Sequence, residues 1–182
     1  MITTHLIAPF KKSYQDQHKC TKTSPRYKKS QALKDLEKLS LEAKRLRYPN
    51  NPYLLGESFE DKTANGLTKA IIAYIKLTGG FAERCSNTGR VIDSSLTFTD
   101  VLGHTRTIGS VKWIPGSGTN GTADIASTFA GKSIKIEVKI GSDKQSQAQI
   151  NYQRAVESAG AIYYIAKDFE SFKTWYDQIS KV

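Results

Sequence analysis

The stretch from residue 123 to residue 140 reads ADIASTFAGKSIKIEVKI, and its second half alternates without a break. Ser133, Lys135, Glu137 and Lys139 take one parity, and Ile134, Ile136, Val138 and Ile140 take the other. A period of two puts the polar set on one face of a β-strand and the aliphatic set on the opposite face. Between the two halves, Ala130-Gly131 predicts a tight hairpin in which Phe129 faces Lys132. Carried down the ladder, that register sets Asp124 opposite Glu137 on one face, with Lys139 two residues further on. Ile125, Ile134, Ile136 and Val138 then turn to the other face, where helices can cover them. A slip of one residue would undo the arrangement.

The same alternation decides what the glycine-rich segment before it is. GSGTNG (116–121) fits the dinucleotide fingerprint through Gly116, Gly118 and Gly121. That fingerprint needs a helix after it, because the helix N-terminus is what holds the pyrophosphate. A strand follows instead, and Thr122 stands where a Walker-type loop requires lysine. The segment is expected to be a turn that leads into the hairpin, its glycines allowing a phosphate backbone to come close to Asp124.

Around the hairpin the sequence predicts helices and short strands. Leu33, Leu36, Leu39, Ala43 and Leu46 recur at helical spacing, which predicts a helix over about 27–47 whose stripe packs on the domain or a partner. YPNNPY (48–53) ends it and is the expected linker. A second helix is expected over 62–78, stopped by Gly79-Gly80. Residues 81–114 read as short strands, FAERC, RVIDSS, SLTFTDVLG and TRTIGSVKWI, whose pairing the sequence does not fix. After the hairpin come a polar loop, a helix over 146–159 and a strand, AIYYIA (161–166), of the kind buried on both faces. The 146–159 helix is expected to bury Ala148, Tyr152, Ala155, Val156 and Ala159. A last helix carries Phe169, Phe172, Tyr176 and Ile179 on one side, with Asp168 as its cap. Trp113 and Trp175 read as core residues. The class is α/β with a mixed sheet.

Charge divides the chain unevenly. Residues 1–50 carry 12 Lys/Arg against 4 Asp/Glu, a net of +8, while the rest carries 15 against 13, a net of only +2. This predicts a basic N-terminal arm with one helix (1–50) joined to a domain at 51–182. Deleting residues 1–48 should leave a core that folds. Such an arm suits a polyanion, and nucleic acid is the expected partner. Its Lys and Arg residues between 11 and 47 suit phosphates and carry no base-reading signature. Residues 1–24 show no periodicity. No apolar run approaches the ~20 residues of a membrane span, and MITTHLIAPFKK has no signal-peptide core. A cytoplasmic protein is expected, with Cys20 and Cys85 reduced. His5, His18 and His104 have no zinc-site spacing.

Chemistry concentrates where Asp124 meets Glu137. Two carboxylates about 4 Å apart repel by roughly 4 kcal/mol at an effective dielectric near 20. A cation or Lys139 must compensate. Mg²⁺ is the natural guest for two carboxylates, waters and a phosphate oxygen. It would acidify an attacking water and neutralise charge on a phosphoryl transition state. The commoner reading of an isolated Asp with Glu-x-Lys is a solvated strand face with cross-strand ion pairs.

Beyond the pair, further residues accumulate. GTA-Asp124-I, then I-Glu137-V-Lys139, then Ser146-x-x-Gln149 opening a helix, then a Gly-Ala-x-Tyr strand, resemble the PD-(D/E)XK nuclease superfamily. The likeness is nearest to its VRR-Nuc and Holliday-junction-resolvase-like branches, small phage nucleases among them, and covers about residues 62–178. The resemblance implies a restriction-endonuclease-like core and a metal-dependent endonuclease acting on DNA, suited to junctions or branches. It implies that Asp124 and Glu137 bind Mg²⁺, for which Mn²⁺ substitutes, together with the carbonyl of Val138. Lys139 would assist the nucleophile, and Gln149 would position Lys139 or the DNA. A dimer is compatible with this reading. Two residues depart from the family pattern. Ala123 replaces the nominal proline, and the 62–78 helix lacks the acid that many members carry there. Asn65 stands near that position, with Glu57, Glu60 and Asp61 at the helix entrance. Asn65, Lys144 and Ser146 are further expected contacts to nucleic acid, although Ser146 equally suits a helix cap. The rival reading is a non-catalytic nucleic-acid-binding module on a degenerate nuclease fold.

Overall fold

The computed structural model describes residues 27–86, 89–116 and 118–179. The expectations for residues 1–24, and for Cys20, His5 and His18, lie outside the described residues. Among the described residues the chain is mixed α/β, with four helices and a mixed four-stranded sheet. No helix among them is long and apolar enough to cross a membrane.

Two helices come first. α1 (Gln31–Arg47) starts at Ser30, whose side chain accepts the Leu33 N–H, and α2 (Ala64–Leu77) starts at Thr63 in the same manner. The sheet is built from β1 (Phe81–Arg84), β6 (Ile125–Phe129), β7 (Lys132–Val138) and β8 (Ile162–Ala166) in that order. The first three are antiparallel and β8 joins β7 in parallel. The helix between β7 and β8 is α3 (Gln147–Ser158), and α4 (Phe169–Ile179) closes the described chain. Asp168 caps α4 by accepting the Ser171 N–H at 2.8 Å.

The hairpin has the register its turn predicts. Phe129 faces Lys132 and Ile125 faces Ile136. Ala130 (φ 47°) and Gly131 (φ 75°) both take the left-handed region, the two-residue loop whose twist suits a hairpin. Ile125, Ile134 and Ile136 are fully buried against α2 and α4, in one core with Leu67, Ile71, Ile75, Phe169, Phe172 and Tyr176.

α1 belongs to that same core. Leu33 and Leu36 are buried and the helix packs across α2 and α4, whereas Leu46, expected on the stripe, is exposed. The buried stripe is Ala32, Leu33, Leu36 and Ser40. Glu37 adds a polar tie, accepting the Phe59 N–H at 2.8 Å while paired with Lys29. The helix that charge assigns to a separable arm is thus an integral layer.

Three other expectations are corrected. α3 has no fully buried residue; Ala148, Ala155 and Ala159 are exposed, while the expected Tyr152 and Val156 are half-buried beside Gln149, Ile150 and Gln153. It packs on an edge strand, and its first turn covers the polar side chains of Glu137 and Lys139. β8 is that edge strand and is only half-buried apart from Ala166. Trp113 is 60% exposed, whereas Trp175 stacks on Tyr164 at 3.9 Å between centroids.

Trp113 is exposed because, among the described residues, 89–114 form strands that pair with one another and not with the four-stranded sheet. β2 (Arg90–Asp93) pairs with β5 (Val111–Ile114), and β3 (Leu96–Thr99) pairs with β4 (Thr105–Ile108). Arg90 faces Ile114 and Leu96 faces Ile108, so both ladders share one register and form a single antiparallel ribbon. At its waist Gly109 (φ +92°) comes so close to the Ser94 carbonyl that a Cβ would sit 2.0 Å from it. Only glycine fits there.

Candidate active site

Asp124 immediately precedes β6, and its backbone carbonyl accepts the Cys85 N–H at 2.8 Å. One more step of the β6–β7 register sets it beside Glu137. Its carboxylate turns across the strand, and Oδ2 accepts the Val138 N–H at 2.9 Å. Among the described residues Oδ1 has no hydrogen-bond partner. The chain thus fixes this carboxylate by its backbone on one side and by β7 on the other.

Glu137 is 1% exposed, an unusual place for a carboxylate. Its Oε1 accepts from the Gln149 side-chain amide and from Lys139 Nζ, the latter at 3.1 Å. Tyr163 donates to Oε2 at 3.5 Å. Burial, then the negative charge of Asp124, push the Glu137 carboxyl above the ordinary range, and Lys139 and Tyr163 offset part of this.

Lys139 is 8% exposed, and its ammonium lies among three acceptor oxygens. These are Glu137 Oε1 at 3.1 Å, Gln149 Oε1 at 3.1 Å and Asp143 Oδ2 at 3.5 Å. Gln149 is the hub. Its Nε2 donates to Glu137, and its Oε1 accepts from Lys139 and, at 2.9 Å, from the Ser146 backbone N–H. Ser146 Oγ in turn accepts the Gln149 N–H at 3.3 Å, a capping box that locks the first turn of α3. The glycine loop locks it from above. A Cβ on Gly121 (φ +82°) would lie 2.4 Å from the Ala148 carbonyl. The close approach that this glycine permits within the fold is to α3.

Asp124, Glu137, Lys139, Gln149, Ser146 and the Val138 backbone are thus brought together. Asn65 and Lys144 are not. Asn65 accepts from Arg84 at 2.8 Å at the start of α2, on the opposite face of the sheet. Lys144 is exposed in the loop after β7. Two site residues escape the sequence reading. Tyr163 faces Lys135 across the parallel ladder and so shares the face of Glu137; its place in Gly-Ala-x-Tyr is visible in the sequence, its parity is not. Burial, then the charge of Glu137, hold its phenol well above the ordinary range. Asp143, four residues past Lys139 in an irregular loop, leaves no pattern to read.

The oxygens offered here are hard: the carboxylates of Asp124 and Glu137, with the Val138 backbone bonded to Asp124. Among the described residues no three His, Cys, Asp or Glu side chains gather as a ready cage. That composition fits Mg²⁺, which binds through one or two carboxylates and fills its remaining positions with water and phosphate oxygens. Compared with known proteins, the chain matches no family model and no curated protein.

Proposed function

We propose that the protein is a metal-dependent DNA endonuclease with a restriction-endonuclease-like core of the PD-(D/E)XK kind, akin to the VRR-Nuc and junction-resolvase branches. The observation that carries the reading is the convergence of Asp124, Glu137, Lys139 and Gln149 from two strands and a helix onto one point. A solvated strand face would not bury Glu137 and Lys139 or aim a helix-capping glutamine at both.

In this reading Asp124, Glu137 and the Val138 carbonyl hold a divalent cation, Mg²⁺ or Mn²⁺. When bound, it supplies positive charge against the phosphate and acidifies the attacking water. The residues do the positioning. Asp124 is fixed through Val138, so its free oxygen points consistently. Gln149 holds Glu137 and Lys139 at one spacing. Lys139 orients water or stabilises charge building on the phosphoryl oxygens. Of its three acceptors Asp143 is the solvent-exposed one, and so the partner that a water or phosphate oxygen displaces. Water attacks phosphorus and gives a proton to solvent, a P–O bond forms as the ester P–O bond breaks, and the leaving oxygen takes a proton from solvent.

Plasmid nicking in Mg²⁺ or Mn²⁺ against EDTA tests this. Asp124→Asn, Glu137→Gln and Lys139→Ala should each reduce nicking by at least about 100-fold, the scale of removing one group that stabilises the transition state. The two carboxylate variants should also lose metal binding, which Lys139→Ala should retain. A wild type that binds DNA and never cuts it hands the case to the non-catalytic binding module. Cleavage that survives all three substitutions places the activity elsewhere.

A further inference from the structure

The β-ribbon of residues 89–114 departs directly from the site. It leaves β1 through Cys85, whose N–H is bonded to the Asp124 carbonyl, and the chain returns from it through the glycine loop to Asp124 itself. Among the described residues no helix or strand of the domain packs extensively on it. An isolated two-stranded ribbon is marginal in water, so an exposed one of this length implies something to lie against.

Its two faces differ in chemistry. Paired residues share a face, so even-numbered positions fall on one side and odd-numbered on the other. Every Lys and Arg of the ribbon, Arg90, Arg106 and Lys112, lies on the even side, interleaved with Leu96, Phe98 and Ile108. The odd side of the distal half is four threonines at 97, 99, 105 and 107. The two acids of the ribbon bond to its own loops, Asp93 while exposed. Asp93 accepts from Ser95, and Asp100 accepts the Leu102 and His104 N–H groups, each at 2.9 Å. Asp100 also holds Arg106 at 3.4 Å, while Arg90 and Lys112 have no ion-pair partner among the described residues. Leu96 and Ile108 are 62% and 55% exposed. Cations at the spacing of paired strands, with apolar side chains between them, suit phosphates flanking sugar and base edges. A two-stranded ribbon also fits the major groove.

We propose that the even-numbered face of this ribbon is a duplex-DNA contact surface that continues the substrate path away from Asp124 and Glu137. The proposal rests on the nuclease reading and adds where the flanking duplex lies. Its test is the salt dependence of binding, measured in EDTA with the full chain and a short DNA duplex.

Arg90→Gln/Arg106→Gln/Lys112→Gln replaces three exposed side chains and should leave the melting curve unchanged. It should weaken binding more than tenfold at low salt and flatten the log–log salt slope by about 0.9 for each phosphate left unneutralised. Thr99→Gln/Thr105→Gln, on the opposite face, should change neither quantity. A triple variant with wild-type affinity and slope overturns the proposal, and leaves the nuclease reading intact if wild type still nicks plasmid in Mg²⁺. A wild type that neither binds nor nicks defeats both. Sedimentation equilibrium covers the other occupant. A wild-type dimer that becomes monomeric in the triple variant, with the DNA slope unchanged, assigns the face to a second copy of the chain and overturns the proposal.

Discussion

Glu137 is held where a carboxylate is costly, and its titration states the cost. Below its ordinary value of 4.5 the carboxyl is protonated in the folded and unfolded chain alike, and nothing is lost. As pH rises through the raised folded-state value, the folded protein must carry a charge that burial and Asp124 disfavour, so stability falls. The metal-free protein should therefore be more stable, relative to Glu137→Gln, at acid pH than at neutral pH. Glu137→Gln should melt at or above wild type near pH 7.5, and the gap should close by about pH 4, where wild type is itself protonated. Thermal melts across that range in EDTA check it. A variant that is less stable than wild type at pH 7.5 would mean that the pairing with Lys139 outweighs burial. At this scale the sequence is informative because parity is strict: once Ala130-Gly131 fixes the turn, Asp124, Glu137 and Lys139 have to share a face.

Element by element, the site depends on the first turn of α3, which two local devices hold. Ser146→Ala removes half of the capping box and should cost about 1 kcal/mol, a fall in Tm of about 2–4 °C. Gly121→Ala should cost more, about 1–3 kcal/mol, because the backbone is left-handed there and the new Cβ meets the Ala148 carbonyl. Both variants should loosen Gln149, read as a loss of its side-chain amide signal dispersion by NMR; a Gly121→Ala protein with wild-type Tm would show that the loop can move aside. The reach of the sequence stops at this scale for a physical reason. Helical periodicity in α3 suggests an aliphatic inward face, but the helix covers a polar site, and Gln149 and Gln153 point in where periodicity puts Ala148 and Ala155. The ribbon is legible as strands and illegible as a pair, since Ser94-Ser95 and Gly109-Ser110 break the apolar pattern between its two strand pairs. An exposed Trp113 then follows from an element with no core to enter.

For the whole molecule, the question is where the domain begins. Charge suggests a boundary near residue 50, yet Leu33 and Leu36 are sealed into the core and Glu37 ties α1 to Phe59. Truncating one buried leucine to alanine costs about 2–5 kcal/mol, against a typical total stability of about 5–15 kcal/mol. Deleting residues 1–48 removes both leucines and uncovers the α2 and α4 surfaces beneath them, so that protein should show no cooperative melt. Deleting residues 1–26 instead keeps every described element in the chain, and that protein should still melt cooperatively. It removes five Lys/Arg and one Asp/Glu, half of the +8 carried by residues 1–50. If those cations meet phosphates, DNA affinity should fall and the salt slope should flatten by about 0.9 for each phosphate that loses its cation. Melting and salt titration of the two deletions separate what holds the fold from what holds the ligand. A 1–48 deletion that melts like wild type would make α1 dispensable and restore the boundary that charge alone suggests. A 1–26 deletion with an unchanged salt slope would leave DNA binding to the domain and its ribbon.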